Sequence, residues 1–330
     1  MDPVRIAAVG VGWWGGRLAA GADAAGLELV NCYSPSDRRL AFAEEHDCRA
    51  AASWDDLLRD QDVEAVLLAT PHSTHGSLTA DAAAAGKHIF VEKPLTLNVA
   101  DAKRAIAAAR DAGVVLQVGH NRRRQPGVRR LKDLVDTGRL GQIHHVEANL
   151  SHPKALNPRT GWRGDPAESP AGGMTGLGVH MVDNLIYLVG RPARLAAFSK
   201  PIASLSKLDE ATTVMLEFES GPLGFVGTTT VVPDVATTAA FGTEAAAWNE
   251  VDGDRFYVQS VGDPERHEEP VENIDTVTDE LAEFARCVRT GAKPEVGGPE
   301  ALEVVAVLEG LVESAATRRV VELDDIRDRS

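Results

Sequence analysis

Short apolar runs at residues 4–9, 29–33, 65–69, 88–91 and 114–118 alternate with segments in which small and apolar residues recur at helical spacing. A short continuous apolar run fits a strand covered on both faces, and its alternation with helices predicts βαβ units and a parallel sheet. Residues 77–85 and 99–112 are Ala-rich and helix-forming, and Gly86 and Gly113 stand where a left-handed residue would end each helix. Past Gly119 the pattern changes. Arg122, Arg123 and Arg124 precede a helical segment at 128–136, which predicts a domain boundary at residue 122 and domains 1–122 and 123–330. Runs at 142–151, 195–199, 212–219, 223–232 and 255–261 then follow one another with turn residues between several of them, predicting a mostly antiparallel sheet. Helical patterns at 177–189, 276–289 and 299–316 and a last strand at 320–323 accompany it. A Pro- and Gly-rich loop spans 153–173, and the acidic stretch 265–272 reads as a solvated loop. The fold class is α/β: an N-terminal doubly wound parallel sheet followed by a C-terminal α+β domain.

Composition narrows the function. The chain has 330 residues, long enough for two domains, and 44% hydrophobic against 25% charged residues mark an ordinary globular protein. With 34 basic and 49 acidic residues the net charge is −15, which repels nucleic acid and anionic membrane surfaces and favours a small-molecule partner. No apolar run approaches the roughly 20 residues of a membrane span, and no signal-peptide pattern precedes the first strand, so the cytoplasm is the expected compartment. Cys32, Cys48 and Cys287 form no Cys-x-x-Cys pair, which argues against a disulfide framework or zinc knuckle; Cys32 and Cys287 read as small core residues.

Gly10-Val11-Gly12-Trp13-Trp14-Gly15 follows the first strand and opens a helix. In that context Gly10 permits a tight turn, Gly12 lets backbone approach a pyrophosphate, and Gly15 lets the helix pack on the strand, while the helix N-terminus offers N–H groups to phosphate. Trp13 and Trp14 are placed to flank such a cofactor. A dinucleotide site usually carries an acid about 20 residues on, at the end of the second strand. Here that position is Ser34, followed by Asp37, Arg38 and Arg39; the missing carboxylate and the two arginines lean towards NADP over NAD, although Asp37 remains a ribose partner. At the end of another strand, Glu92-Lys93-Pro94 puts an ammonium where a ligand crevice is expected.

These features, with Thr70-Pro71 and His75, Gly119-His120-Asn121-Arg122-Arg123 before Pro126, and Gly178-Val179-His180-Met181-Val182-Asp183, resemble the glucose-fructose oxidoreductase and inositol dehydrogenase family, Gfo/Idh/MocA. The resemblance covers essentially the whole chain. It implies a Rossmann domain, a second domain with a large open sheet that binds substrate and mediates oligomerisation, and NAD or NADP acting on a secondary alcohol or ketone of a sugar, cyclitol or ring diol. Residue by residue it implies that Lys93 contacts the reacting hydroxyl and nicotinamide ribose, and that His180 is the acid/base group. Thr70, Pro71, His75, Glu92 and Asn121 would line the cofactor, Asn121 also meeting substrate. Asp183 and Asn184 would lie near the substrate or orient His180, and Trp162-Arg163 match a Trp-Arg pair of relatives, with Arg163 either gripping substrate or anchoring its loop. One position departs: Gly176 stands where the family commonly has an Asp, four residues before His180.

The chemistry agrees with those roles, because oxidising a secondary alcohol needs a group titrating near neutrality at the hydroxyl, and His180, Asp183 and Asn184 at i, i+3 and i+4 share one helix face. No metal is expected: His72 and His75 lack a completing carboxylate or Cys, and His144 and His145 point to opposite faces of a strand. Two other readings stand beside the dehydrogenase: a cofactor-binding sensor or partner without turnover, and a redox-neutral enzyme with tightly held NAD. An open sheet with apolar side chains predicts a homo-oligomer, dimer or tetramer.

Overall fold

The apolar runs of the N-terminal part become strands because almost none of their side chains meets water: every residue of Ala65–Leu68 and of Leu116–Gly119 is buried. A computed structural model describes residues 2–156 and 161–330. The chain forms two units, Met1–His120 with Asp275–Leu302, and Asn121–Ile274 with Glu303–Ser330.

In the first unit, β1 (Val4–Val9), β2 (Leu27–Tyr33), β3 (Arg49–Ala50), β4 (Ala65–Leu68), β5 (His88–Glu92) and β6 (Leu116–Gly119) form one parallel sheet in the order β3-β2-β1-β4-β5-β6. The order reverses between β1 and β4, so a crevice is expected beyond their carboxyl ends. The connecting helices are α1 (Trp13–Ala22), α2 (Arg38–Glu45), α3 (Trp54–Arg59), α4 (His75–Ala84) and α5 (Val99–Asp111). Gly86 and Gly113 take φ of 71° and 68°, the left-handed conformation expected of them.

The helix Thr276–Thr290 also belongs to this unit, whereas the sequence reading runs residues 123–330 as one domain. Its apolar face supplies Val277, Leu281 and Phe284 to the core that holds Val4, Ile6 and Phe90, and the Phe284 and Phe90 rings meet at 5.9 Å. An ion pair fixes its far end: Arg289 donates to both Glu64 oxygens at 2.7 and 3.0 Å, which holds the Glu64 carboxyl down at about 2. The helical pattern was legible, but nothing local says which sheet it covers.

The second unit is built on nine strands: β7 (Ile143–Ser151), β8 (Pro192–Lys200), β9 (Ala211–Phe218), β10 (Leu223–Thr229), β11 (Val235–Gly242), β12 (Ala245–Glu250), β13 (Arg255–Ser260), β14 (His267–Glu269) and β15 (Val321–Glu322). Their order is β14-β13-β12-β11-β7-β10-β9-β8-β15, antiparallel except for β7 with β10. The edge strand β14 lies inside the acidic stretch expected to be a solvated loop. Its charged side chains do stay in water, but its backbone pairs with β13, an arrangement suited to an edge that resists further pairing. One face of the sheet buries Val146, Val214 and Val226 and is covered by α6 (Pro126–Asp136) and α7 (Val179–Val189). The cross-strand register puts Phe198, Met215, Leu223 and Phe225 on the opposite face, where Phe198 is 72% and Leu223 50% exposed. Of the loop 153–173, residues 157–160 lie outside the described residues.

Candidate active site

The glycine turn sits at the reversal point of the first sheet. Gly10 has φ +91°, and a Cβ there would lie 2.5 Å from Ala69 O, so only glycine lets the turn after β1 lie against the end of β4. A Cβ on Gly15 would fall 2.0 Å from Gly10 O, which makes Gly15 the close contact between helix and turn. Gly12 differs from both: a Cβ there meets nothing within 4 Å. Gly12 is also the N-cap of α1, with no side-chain cap and no acidic residue in the first turn. The first N–H groups of α1 thus face open space with the positive end of the helix dipole behind them, a cradle suited to a pyrophosphate. Trp14 packs into the core beside α1, while Trp13, 5.2 Å away, is 77% exposed.

Beyond β2, Ser34 Oγ lies 3.2 Å from Ser36 Oγ. Arg39 folds back, donating to Ser36 O at 3.1 Å and to Asp37 at 3.2 Å, so the one acid of this loop already has a cation. Arg38, in the first turn of α2, is exposed.

The ends of β4 and β5 are tied together by His75, which has no exposed surface. Its Nδ1 lies 2.8 Å from Pro94 O and its Nε2 3.0 Å from Thr70 O, so one ring spans Thr70-Pro71 and the turn carrying Lys93. Thr74 donates to Pro71 O at 2.7 Å. Lys93 is partly exposed at the carboxyl edge of β5, and Glu92 beside it is 6% exposed. Glu92 pairs in register with Gly119, where a Cβ would stand 3.0 Å from its Oε1; the glycine makes room for the carboxylate. The first unit therefore assembles Gly10, Gly12, Gly15, Thr70, Pro71, His75, Glu92 and Lys93 along one sheet edge, with Ser34 and Arg38 at the end of β2.

In the second unit, the π-turn Met174–Gly178 runs into α7 and delivers His180, 5% exposed, in its first turn. Asp183 has no exposed surface and binds Arg123 bidentately, at 2.8 and 2.6 Å. That pair anchors α7 to the turn Asn121–Arg124, so Asn121 and the His180 helix share one fixed support. Asn184 is also fully buried and donates to Thr238 Oγ1 at 3.1 Å. Thr175 donates to Pro170 O, and a Cβ at Gly176 would meet nothing within 4 Å. Arg163 stacks on Trp162 with 4.1 Å from guanidinium carbon to ring centroid. Two contributors escaped the sequence reading of roles: Arg123, 60 residues from its partner, and Gly119, whose need appears only in the register. Among the described residues no group of three or more His, Cys, Asp or Glu could hold a metal ion, and no helix is long and apolar enough to cross a membrane.

A parallel sheet with an uncapped glycine turn at its reversal point, and a lysine on the same edge, has the architecture of a Rossmann nucleotide-binding domain. Comparison with known proteins agrees. Residues 4–120 match the model of the oxidoreductase family with NAD-binding Rossmann fold, and residues 128–248 match the GFO/IDH/MocA C-terminal domain. A crystal structure from Desulfitobacterium hafniense DCB-2, inferred to be that of an NADPH-dependent oxidoreductase, superposes with a TM-score of 0.93 at 30% identity over 99% of both chains. The D-xylose 1-dehydrogenase [NADP(+)] of Haloarcula marismortui is 26% identical over 98% of this chain and 94% of its own, and the myo-inositol 2-dehydrogenase of Thermotoga maritima 27% identical over 82% and 83%. The chain belongs to the Gfo/Idh/MocA oxidoreductase family.

Proposed function

We propose that this protein oxidises or reduces a secondary alcohol or ketone on a sugar, cyclitol or related ring diol, with NADP favoured over NAD, as a cytoplasmic homo-oligomer. The observation that carries the reading is the shared edge of the first sheet: an open, uncapped phosphate cradle at Gly12, and Lys93 on the turn whose Pro94 carbonyl is bound by His75. The xylose and inositol dehydrogenases among the relatives support the substrate class. Ser34 in place of a carboxylate and exposed Arg38 support NADP, because a guanidinium binds a 2′-phosphate where an acid would repel it. The apolar outer face of the second sheet supports a dimer or tetramer.

The unit that holds residues 1–120 and 275–302 acts as the dinucleotide-binding domain, and the unit that holds 121–274 and 303–330 as the substrate-binding and oligomerisation domain. The α1 N-terminus takes the pyrophosphate, exposed Trp13 flanks it whereas Trp14, expected beside it, packs into the core, Ser34, Arg38 and Arg39 take the adenosine ribose end, and Thr70, Pro71, Glu92 and Asn121 line the remainder. When bound, the nicotinamide supplies a two-electron acceptor or donor. His180 takes the hydroxyl proton during oxidation and returns it during reduction. Lys93 stabilises the negative charge that grows on the substrate oxygen. Asp183 and Asn184, having no exposed surface, position the His180 helix, while Trp162 and Arg163 grip the substrate.

The test uses Lys93→Ala and His180→Ala. Each abolishes turnover while NADPH affinity stays within about tenfold, roughly 1.4 kcal/mol; near wild-type rates in both variants would remove these residues from the mechanism.

A further inference from the structure

Two consecutive residues of α7, Asp183 and Asn184, are the ends of one chain of buried polar contacts that leaves the helix and returns to it. From Asp183 it passes to Arg123 in the turn Asn121–Arg124. Gln125 follows that turn as the N-cap of α6, yet its side chain does not cap the helix. Its Oε1 instead accepts from Asn249 Nδ2 at 3.1 Å. Asn249, on β12, stands opposite Thr238 of β11 in the ladder, and Thr238 Oγ1 accepts from Asn184 Nδ2 at 3.1 Å. The Thr238 hydroxyl in turn donates to Sδ of Met181, the residue after His180, at 3.9 Å. Arg123, Gln125, Asn249, Thr238, Asp183 and Asn184 are each at least nine-tenths buried.

The direction of the bonds at Gln125 is forced. Gln125 Nε2 donates to Asp252 O at 2.8 Å, and a carbonyl only accepts, so Gln125 turns its oxygen to Asn249 and Asn249 answers with its NH2. Asn249 Oδ1 then faces the first turn of α6, where a Cβ on Gly127 would lie 2.0 Å from it. The glycine makes room for the amide, and the positive end of the helix favours an oxygen there. Asp252 sits in a strained turn: Val251 and Asp252 have φ of +52° and +56°, which residues with side chains rarely take, and Gly253 follows at +101°. Arg122 donates to both Asp252 carboxylate oxygens, and Gln125 donates to one of them at 2.8 Å as well, so the turn is a fixed point for Gln125.

We propose that Gln125 and Asn249 are positioning residues for His180, closing a polar ring that holds α7 at two adjacent residues. Those residues lie three and four positions after His180. Adjacent side chains leave a helix about 100° apart, so the holds at Asp183 and Asn184 grip α7 from two sides and oppose its rotation. With one hold α7 could turn about it; with both, the place of the His180 ring is set. This role rests on the assignment of His180 as the acid/base group, whereas the ring itself does not.

Gln125→Met with Asn249→Leu opens the ring without leaving either buried amide unpaired, a replacement of both partners that is close to neutral in stability. Asp252 O, on an exposed turn, then bonds water. The full-length double variant is expected to melt within a few degrees of wild type and to bind NADPH within about twofold. On a ring alcohol or ketone that the wild type converts, its kcat and kcat/KM fall together by about tenfold or more. Amides of residues 179–189 exchange hydrogen faster than in the wild type. Gln125→Glu gives a second reading, because an ionised carboxylate against Asp252 O breaks the ring and a protonated one restores it. Its kcat, divided by that of the wild type at the same pH so that the titration of His180 cancels, rises as pH falls from about 8 to about 5.5. Wild-type kcat in the double variant, a ratio for Gln125→Glu that ignores pH, or unchanged exchange in α7 would overturn the proposal. If the double variant does not fold, the Gln125→Glu ratio decides. If the wild type converts no ring alcohol or ketone, the functional reading fails by itself, and exchange in α7 still decides whether the ring holds the helix.

Discussion

Replacing Arg123 with Met tests the support of the helix that carries His180. Asp183 and Arg123 have side chains only 1% and 4% exposed, and both guanidinium bonds are short. Removing one partner of such a pair leaves a charge in low dielectric, at a cost of about 3–5 kcal/mol, whereas replacing both by apolar residues of similar volume is often neutral. At about 2–4 °C per kcal/mol for a unit of this size, Arg123→Met lowers the melting transition of the second unit by roughly 6–20 °C. Arg123→Met with Asp183→Leu recovers most of that loss, because no buried charge remains. Calorimetry on the single and double variants reads the stability, and kcat reads the positioning. The double variant regains stability without regaining turnover, since α7 has lost the anchor that sets His180. An Arg123→Met transition within 2 °C of wild type, or a double variant with wild-type kcat, would refute the reasoning.

Three further outcomes are expected. Gly12→Ala keeps wild-type stability but weakens cofactor binding, because its Cβ occupies only the open cradle, whereas Gly15→Ala destabilises by forcing a contact at 2.0 Å from Gly10 O; thermal melts with NADPH titrations separate the two. Arg38→Ala lowers NADPH affinity by about tenfold and leaves NADH affinity nearly unchanged, and equal loss for both would remove Arg38 from 2′-phosphate recognition. His88 accepts the Val115 N–H at Nδ1, at 3.0 Å, and burial lowers its pKa, so folding favours the neutral ring. The unfolded chain then binds more protons below its ordinary value of 6.5, and this contribution, full above that value, is lost as pH falls towards the depressed folded value. Urea denaturation at pH 7.5 and 5 detects the loss, and His88→Asn flattens it.

The first unit was legible because central strands such as Ala65–Leu68 and Leu116–Gly119 are buried on both faces and α4 and α5 run into Gly86 and Gly113, two signals that survive in a short window. Small elements were not. The two-residue strand Arg49–Ala50 carries no periodicity, and Val235–Gly242 and Ala245–Glu250 are rich in Ala and Thr, so their strand character comes from neighbours in the sheet. At the site, Gly10, Gly12, Gly15 and Lys93 are local and readable. The Arg123–Asp183 pair and the room Gly119 gives Glu92 depend on residues distant in sequence, and only three-dimensional register reveals them. The His75 clamp lies between: the residue stood out in sequence, but its bonds to Thr70 O and Pro94 O did not.

The most direct test of the central claim follows the transferred atom. NADPH deuterated at the reactive C4 position is incubated with the enzyme and a panel of ring ketones derived from sugars, cyclitols and diols, and the products are read by mass spectrometry. The account predicts one deuterium on the new carbinol carbon of at least one product, and none with Lys93→Ala or His180→Ala. Absence of transfer across the panel, or transfer at wild-type rate in both variants, would contradict it.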